Sequence, residues 1–128
     1  AFDTDGGTYF QRANDEILVV IQIEHIQAVE CAEDLLSVPG VDAVFIGPAD
    51  LSASMGLQPG ASAGDPRFQE AVEHVRATAA RLGVAPGIHV FSVEDARARL
   101  AQGFRFVALG SEARFMTGAA QAALDQIR

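Results

Sequence analysis

Two acidic residues, Glu24 and Asp50, follow short apolar runs: Ile17-Leu18-Val19-Val20-Ile21 leads to Gln22-Ile23-Glu24, and Val41-Asp42-Ala43-Val44-Phe45-Ile46 leads to Gly47-Pro48-Ala49-Asp50. Runs of this kind read as strands, so the two carboxylates emerge at the same end of two successive strands, about one βαβ unit apart. In α/β proteins ligands and catalytic groups collect at that end of the sheet. Two hard oxygen donors placed there make a candidate divalent-metal site. Gln22 shares a face with Glu24, because side chains two apart on a strand point the same way. Each residue also has a plainer role open to it. Glu24 can serve the dipole of a following helix, Asp50 can cap a turn beginning at Leu51, and Gln22 can be a strand-end hydrogen-bonder.

The elements that position these groups follow from periodicity and punctuation. Residues 1–11, with the Gly6-Gly7 pair, read as an irregular lead-in. A first strand spans about 17–23, a helix about 26–36 is stopped by Pro39-Gly40, and a second strand spans about 43–46. Residues 47–65, rich in Gly, Ser and Pro, read as a long loop. Asp65-Pro66 resembles an N-cap followed by proline at the first helical position, and Gly83 ends that helix. A third strand at about 85–90, a helix opened by Ser92-Val93-Glu94-Asp95 and closed at Gly103, a fourth strand at 104–109 and a last helix from about 112 complete the chain. The order is β-α-β-α-β-α-β-α. Strands that are continuous apolar runs are expected to be covered on both faces of a parallel sheet. Four such units are too few for an eight-stranded barrel, which needs about 250 residues, so the pattern fits a small open α/β domain or half of a barrel.

Bulk properties narrow the classes. A chain of 128 residues is one domain, 1–128, and 49% apolar content excludes disorder. A formal charge of −8 argues against a nucleic-acid partner. No apolar run is long enough to span a bilayer and none reads as a signal peptide, which with the single Cys31 places the expected location in the cytoplasm. Cys31 is expected to be buried and inert. His74 reads as solvated, and His25 as a surface or supporting residue pointing away from Glu24. His89 ends the third strand and Ser111 follows the fourth, so both are expected at the mouth that holds the acidic pair. No lysine is present, so this chain can form no imine with a carbonyl substrate.

The segments Gln22-Ile23-Glu24 and Gly40-Val41-Asp42-Ala43-Val44-Phe45-Ile46-Gly47-Pro48-Ala49-Asp50-Leu51-Ser52-Ala53-Ser54-Met55-Gly56 resemble the HpcH/HpaI family of metal-dependent (class II) pyruvate aldolases. Gln11-Arg12-Ala13-Asn14-Asp15-Glu16, Ala85-Pro86-Gly87-Ile88 and Gly103-Phe104-Arg105-Phe106-Val107-Ala108-Leu109-Gly110-Ser111 extend the likeness over the chain from about Tyr9 onward. The Gly-Pro-Ala-Asp-Leu-Ser block, with a Gln-x-Glu whose Glu lies 26 residues before its Asp, is the specific part.

The resemblance implies a parallel (βα)4 segment corresponding to strands five to eight of a TIM barrel. It also implies a carbon–carbon lyase that cleaves 4-hydroxy-2-oxo acids to pyruvate and an aldehyde through a metal-stabilised enolate. Glu24 and Asp50 would hold Mg²⁺, Mn²⁺ or Co²⁺, with Asp50 also beside the substrate. Gln22 would donate to the keto oxygen, Gly47 and Ala49 would offer backbone N–H groups to the pyruvate carboxylate, and His89 or Ser111 would touch the aldehyde end. The family's catalytic His and Arg come from the other barrel half, and no residue of this chain matches them. Expected partners are the small 2-oxo acid and aldehyde, with no nucleic acid and no membrane. A homo-oligomer, or a partner supplying the other half, is expected to complete the fold. Alternatives on the same residues are a non-catalytic module that binds metal and a 2-oxo acid or drives assembly, and decarboxylation of oxaloacetate.

Overall fold

The structure, a computed structural model, describes residues 5–58 and 64–127. It contains four parallel strands in sequential order, β1 (Val20–Ile23), β2 (Ala43–Ile46), β3 (Ala85–Val90) and β4 (Phe106–Leu109). Between and around them lie α1 (Gly6–Glu16), α2 (Ile26–Glu30), α3 (Ala32–Leu36), α4 (Pro48–Ser54), α5 (Pro66–Leu82), α6 (Val93–Ala101) and α7 (Glu112–Asp125). This is the expected α/β arrangement, four βα units in register, with Ile23 beside Ile46 and Ile46 beside Ile88. Among the described residues no helix is long and apolar enough to cross a membrane.

The core lies on one face of the sheet. Ile23, Val44, Ile46 and Ile88 pack with Val29 of α2, Leu36 of α3, Leu51 of α4 and Phe68, Val72, Val75 and Ala79 of α5, all nearly inaccessible to water. Parallel strands joined in sequence by right-handed crossovers place their helices on the same side. Among the described residues nothing covers the opposite face, contrary to the two-sided burial expected from the apolar strands. Val20 and Phe106 on that face are 38% and 43% exposed, and Gln22 is exposed. Continuous apolarity therefore reflects a second surface that the described residues leave open. Across it the Phe45 and Phe106 rings approach to 5.2 Å over Gly87, which pairs with both residues.

Several boundaries differ from expectation for local reasons. The lead-in is helical from Gly6 onward. Asp5 caps it through Oδ1, which accepts from the Gly7 and Thr8 amides at 2.9 and 3.1 Å, and through Oδ2, which accepts from the Thr8 hydroxyl at 2.6 Å. Three capping bonds and the Arg12–Glu16 pair outweigh two glycines in the first turn. The 26–36 helix is two five-residue helices joined at Cys31, whose backbone (φ −98°, ψ 15°) leaves the helical region. Cys31 is thereby exposed, not buried. The first part of the 47–65 loop is helix α4, opened by Pro48 at its first position; residues 59–63 of that loop lie outside the described residues. Strand β4 begins at Phe106, not Phe104, because Gly103 (φ +93°) turns the chain and the Phe104 amide closes back on the Arg99 carbonyl at 3.1 Å.

The longest helix, α5, has the ends foreseen. Asp65 Oδ1 accepts from the Arg67 amide at 2.9 Å, and Gly83 terminates the helix at φ +77°. The hydrogen-bonded Arg67 guanidinium holds the Asp65 carboxyl below the usual carboxylate range, and Arg76 does the same for Glu73. A carboxylate with a lowered native pKa stabilises the fold above its unfolded pKa, and that contribution disappears as pH falls through the native value. The thermal midpoint is therefore expected to fall as pH is lowered from about 5 to about 3. Asp65→Asn keeps a capping oxygen but loses the charge, and should show a shallower fall in the same thermal scans.

Candidate active site

The site grows from the parallel register of β1 and β2. Because Ile23 lies beside Ile46, the next residues, Glu24 and Gly47, leave the sheet side by side at its C-terminal edge. The Gly47 amide donates to the Ile23 carbonyl at 3.2 Å, extending the ladder one step past the strands. Gln22 Nε2 donates to Glu24 Oε2 at 2.5 Å. A Cβ at Gly47 would lie 2.8 Å from Glu24 Oε2, 3.0 Å from Glu24 Cβ and 3.3 Å from Gln22 Nε2. Only glycine leaves room for the Glu24 carboxylate to lie over this turn with Gln22 holding it. The backbone N–H assigned to Gly47 for a substrate carboxylate is already committed to Ile23. Its contribution in the structure is space.

Asp50 is exposed in the first turn of α4, three residues past Gly47, with the Ala49 amide just before it. Helix α4 is anchored by Leu51, which is fully buried, and by Ser52, whose hydroxyl donates to the Pro48 carbonyl at 2.6 Å. Among the described residues, no cation forms an ion pair with Glu24 or Asp50, and no three His, Cys, Asp or Glu side chains gather as a closed metal cage. The chain thus offers two carboxylates without neutralising partners, one of them oriented by an amide and cradled by a glycine. A divalent cation that takes oxygen ligands and keeps positions for water and substrate fits that donor set.

The remaining candidates separate into distinct places. His89, half-buried at the end of β3, donates from Nε2 to the Gly110 carbonyl at 2.8 Å, and its ring lies 4.5 Å from that of Phe91. With Pro48, Ala49, Phe68, Asp95 and Arg99 it lines a cavity of about 480 Å³ bordered by α4, α5 and α6. Gln22, Glu24, Gly47 and Asp50 do not line that cavity, so it is separate from the acidic pair that His89 was expected to accompany. Ser111 caps α7, its Oγ accepting from the Arg114 amide at 3.3 Å. His25 caps α2, Nδ1 accepting from the Gln27 amide at 3.3 Å, as a supporting residue beside the site. His74 is exposed, as expected. Ser54 had no role in the sequence reading, although it lies within the Gly47–Gly56 block. Its hydroxyl accepts from the Ile26 amide at 3.0 Å and so joins the two acidic segments.

A family model described as HpcH/HpaI aldolase/citrate lyase matches residues 4–119. The chain belongs to this family. It is 41% identical over 117 residues to a 4-hydroxy-2-oxo-heptane-1,7-dioate aldolase of Shigella sonnei, a match covering 89% of this chain and 43% of the relative. It is 36% identical over 120 residues to a hydroxypyruvate/pyruvate aldolase of Paraburkholderia phytofirmans, covering 94% of this chain and 45% of that protein. The crystal structure of an HpcH/HpaI aldolase/citrate lyase family protein from Burkholderia cenocepacia superimposes with a TM-score of 0.87 at 32% identity, over 94% of this chain and 46% of that one. The chain therefore spans about half the length of the curated relatives it matches. Its four strands stand as half of the HpcH/HpaI fold, and the uncovered sheet face is the surface that half leaves open.

Proposed function

We propose that this HpcH/HpaI chain is the metal-holding half of an aldolase that cleaves 4-hydroxy-2-oxo acids to pyruvate and an aldehyde. The observation that carries the reading is the Gln22–Glu24–Gly47 group at the sheet's C-terminal edge, with Asp50 on the helix that follows Gly47. The names of the two aldolase relatives supply the substrate class.

Mg²⁺, Mn²⁺ or Co²⁺ held by Glu24 and Asp50 would act as a Lewis acid toward the 2-oxo acid. The chain's own residues have narrower tasks. Gln22 donates one N–H to Glu24, fixing the carboxylate, and its amide would orient the keto group. The Ala49 amide, in the first turn of α4 next to Asp50, would serve the substrate carboxylate. His89, held by Gly110, would meet the far end of the substrate. The absence of lysine removes an imine route from this chain, which favours the metal-dependent class. Proton transfer would fall to groups on whatever covers the open sheet face, either a second copy or a complementary barrel half.

The test is pyruvate release from a 4-hydroxy-2-oxo acid, followed with a coupled lactate dehydrogenase assay. The chain with Mn²⁺ is expected to turn over only when combined with a complementary half supplying a His and an Arg, and to stop on chelation. A combined protein that still releases pyruvate in excess chelator would overturn the metal reading. One that consumes oxaloacetate but cleaves no aldol substrate would favour decarboxylation.

A further inference from the structure

We propose that Ser54 is a positioning residue that fixes the two acidic segments relative to each other and so sets affinity for the cation; the inference rests on the metal-site reading above. The segments are tied together twice. The first tie is the Gly47 amide on the Ile23 carbonyl, at 3.2 Å, immediately before Glu24 and three residues before Asp50. The second is the Ile26 amide on Ser54 Oγ, at 3.0 Å, two residues after Glu24 and four after Asp50. Both carboxylates therefore sit inside a loop of chain closed at each end by a hydrogen bond between the segments.

The second tie is specific to a hydroxyl. Ile26 is the first residue of α2, where an amide has no partner within its own helix. The side chain of the N-cap residue His25 accepts from Gln27, and the Ile26 donor is met from α4. Ser54 accepts that N–H and passes its own proton to the Leu51 carbonyl at 2.7 Å, which fixes the direction of its lone pairs. Helices of five and seven residues have little stability by themselves. Val29 and Leu51 anchor both in the core, and the bond between them adds a directional constraint on how their ends stand to one another. Ser52 is the contrast, since its hydroxyl stays within α4 on Pro48.

The experiment is calorimetric titration of the full chain with Mn²⁺ alone, alongside amide exchange at Ile26. Ser54→Ala is expected to weaken Mn²⁺ binding by about three- to tenfold, the worth of one hydrogen bond, and to speed exchange of the Ile26 amide. Ser54→Thr keeps the hydroxyl and should bind like the wild type. Ile26→Pro removes the donor instead. Proline suits the first helical position, and His25 already has the extended backbone (φ −135°, ψ 142°) that a following proline requires. It should reproduce the loss of affinity, and it carries the test if Ser54→Ala does not fold. Wild-type affinity in a folded Ser54→Ala or Ile26→Pro chain overturns the proposal, as does a Thr variant as weak as Ala. If the wild type binds Mn²⁺ and only these variants behave as wild type, the metal site stands and the Ser54 role falls. If the wild type binds no Mn²⁺, both fall.

Discussion

Glu24→Ala is expected to lower Mn²⁺ affinity by more than about 100-fold, with Asp50→Ala similar and Gln22→Ala lower by about tenfold. The ranking follows from what each side chain does. In the proposed site Glu24 and Asp50 would be the oxygen donors, and among the described residues neither has a competing cation partner. Gln22 acts through Glu24, holding Oε2 at 2.5 Å. Without that amide the carboxylate keeps its charge but gains rotamer freedom, so binding weakens without vanishing. Calorimetric titration of the three variants with Mn²⁺ checks the order. Unchanged affinity in both Glu24→Ala and Asp50→Ala would remove the metal site, and with it the proposed chemistry.

Gly87→Ala carries the largest expected effect on stability, a loss of about 3 kcal/mol, seen as a drop of roughly 10 °C in the thermal midpoint. An added Cβ would meet the Phe106 and Val44 carbonyl oxygens at 2.9 Å each and Phe106 Cβ at 3.0 Å. The two oxygens are backbone atoms of the two flanking strands. β3 is hydrogen-bonded on both sides, to β2 and β4, so neither neighbour can withdraw without opening a ladder. The same glycine lets the Phe45 and Phe106 rings meet over the sheet. Circular dichroism melts of wild type and variant decide the matter, and a midpoint within about 2 °C of wild type would mean that the sheet relaxes more freely than its pairing implies.

Local signals in the chain were the most legible. Asp65-Pro66 and Gly83 mark the ends of α5, and Ser92 caps α6 through the Asp95 amide at 3.0 Å, because caps and left-handed stops involve residues only a few positions apart. Where two local signals compete, composition alone misleads. Gly6-Gly7 suggests an irregular lead-in, yet the Asp5 cap makes it helical, and the Gly, Ser and Pro content of 47–65 hides a helix whose Pro48 opens it and whose Leu51 anchors it. Cys31 was misplaced because burial depends on a helix continuing through it, and the chain bends there instead.

The order of four βα units, the family, and the position of Glu24 and Asp50 shortly after two successive strands are legible in the sequence by itself. Each of these is written in residue type and spacing along one dimension. Only the tertiary structure decided that Gly47 serves as room for a carboxylate, that its amide belongs to Ile23, that Ser54 ties α4 to α2, and that one sheet face stays open. Those facts depend on which atoms of distant segments come within a few ångströms, and spacing along the chain places strands beside one another without stating how closely their ends approach.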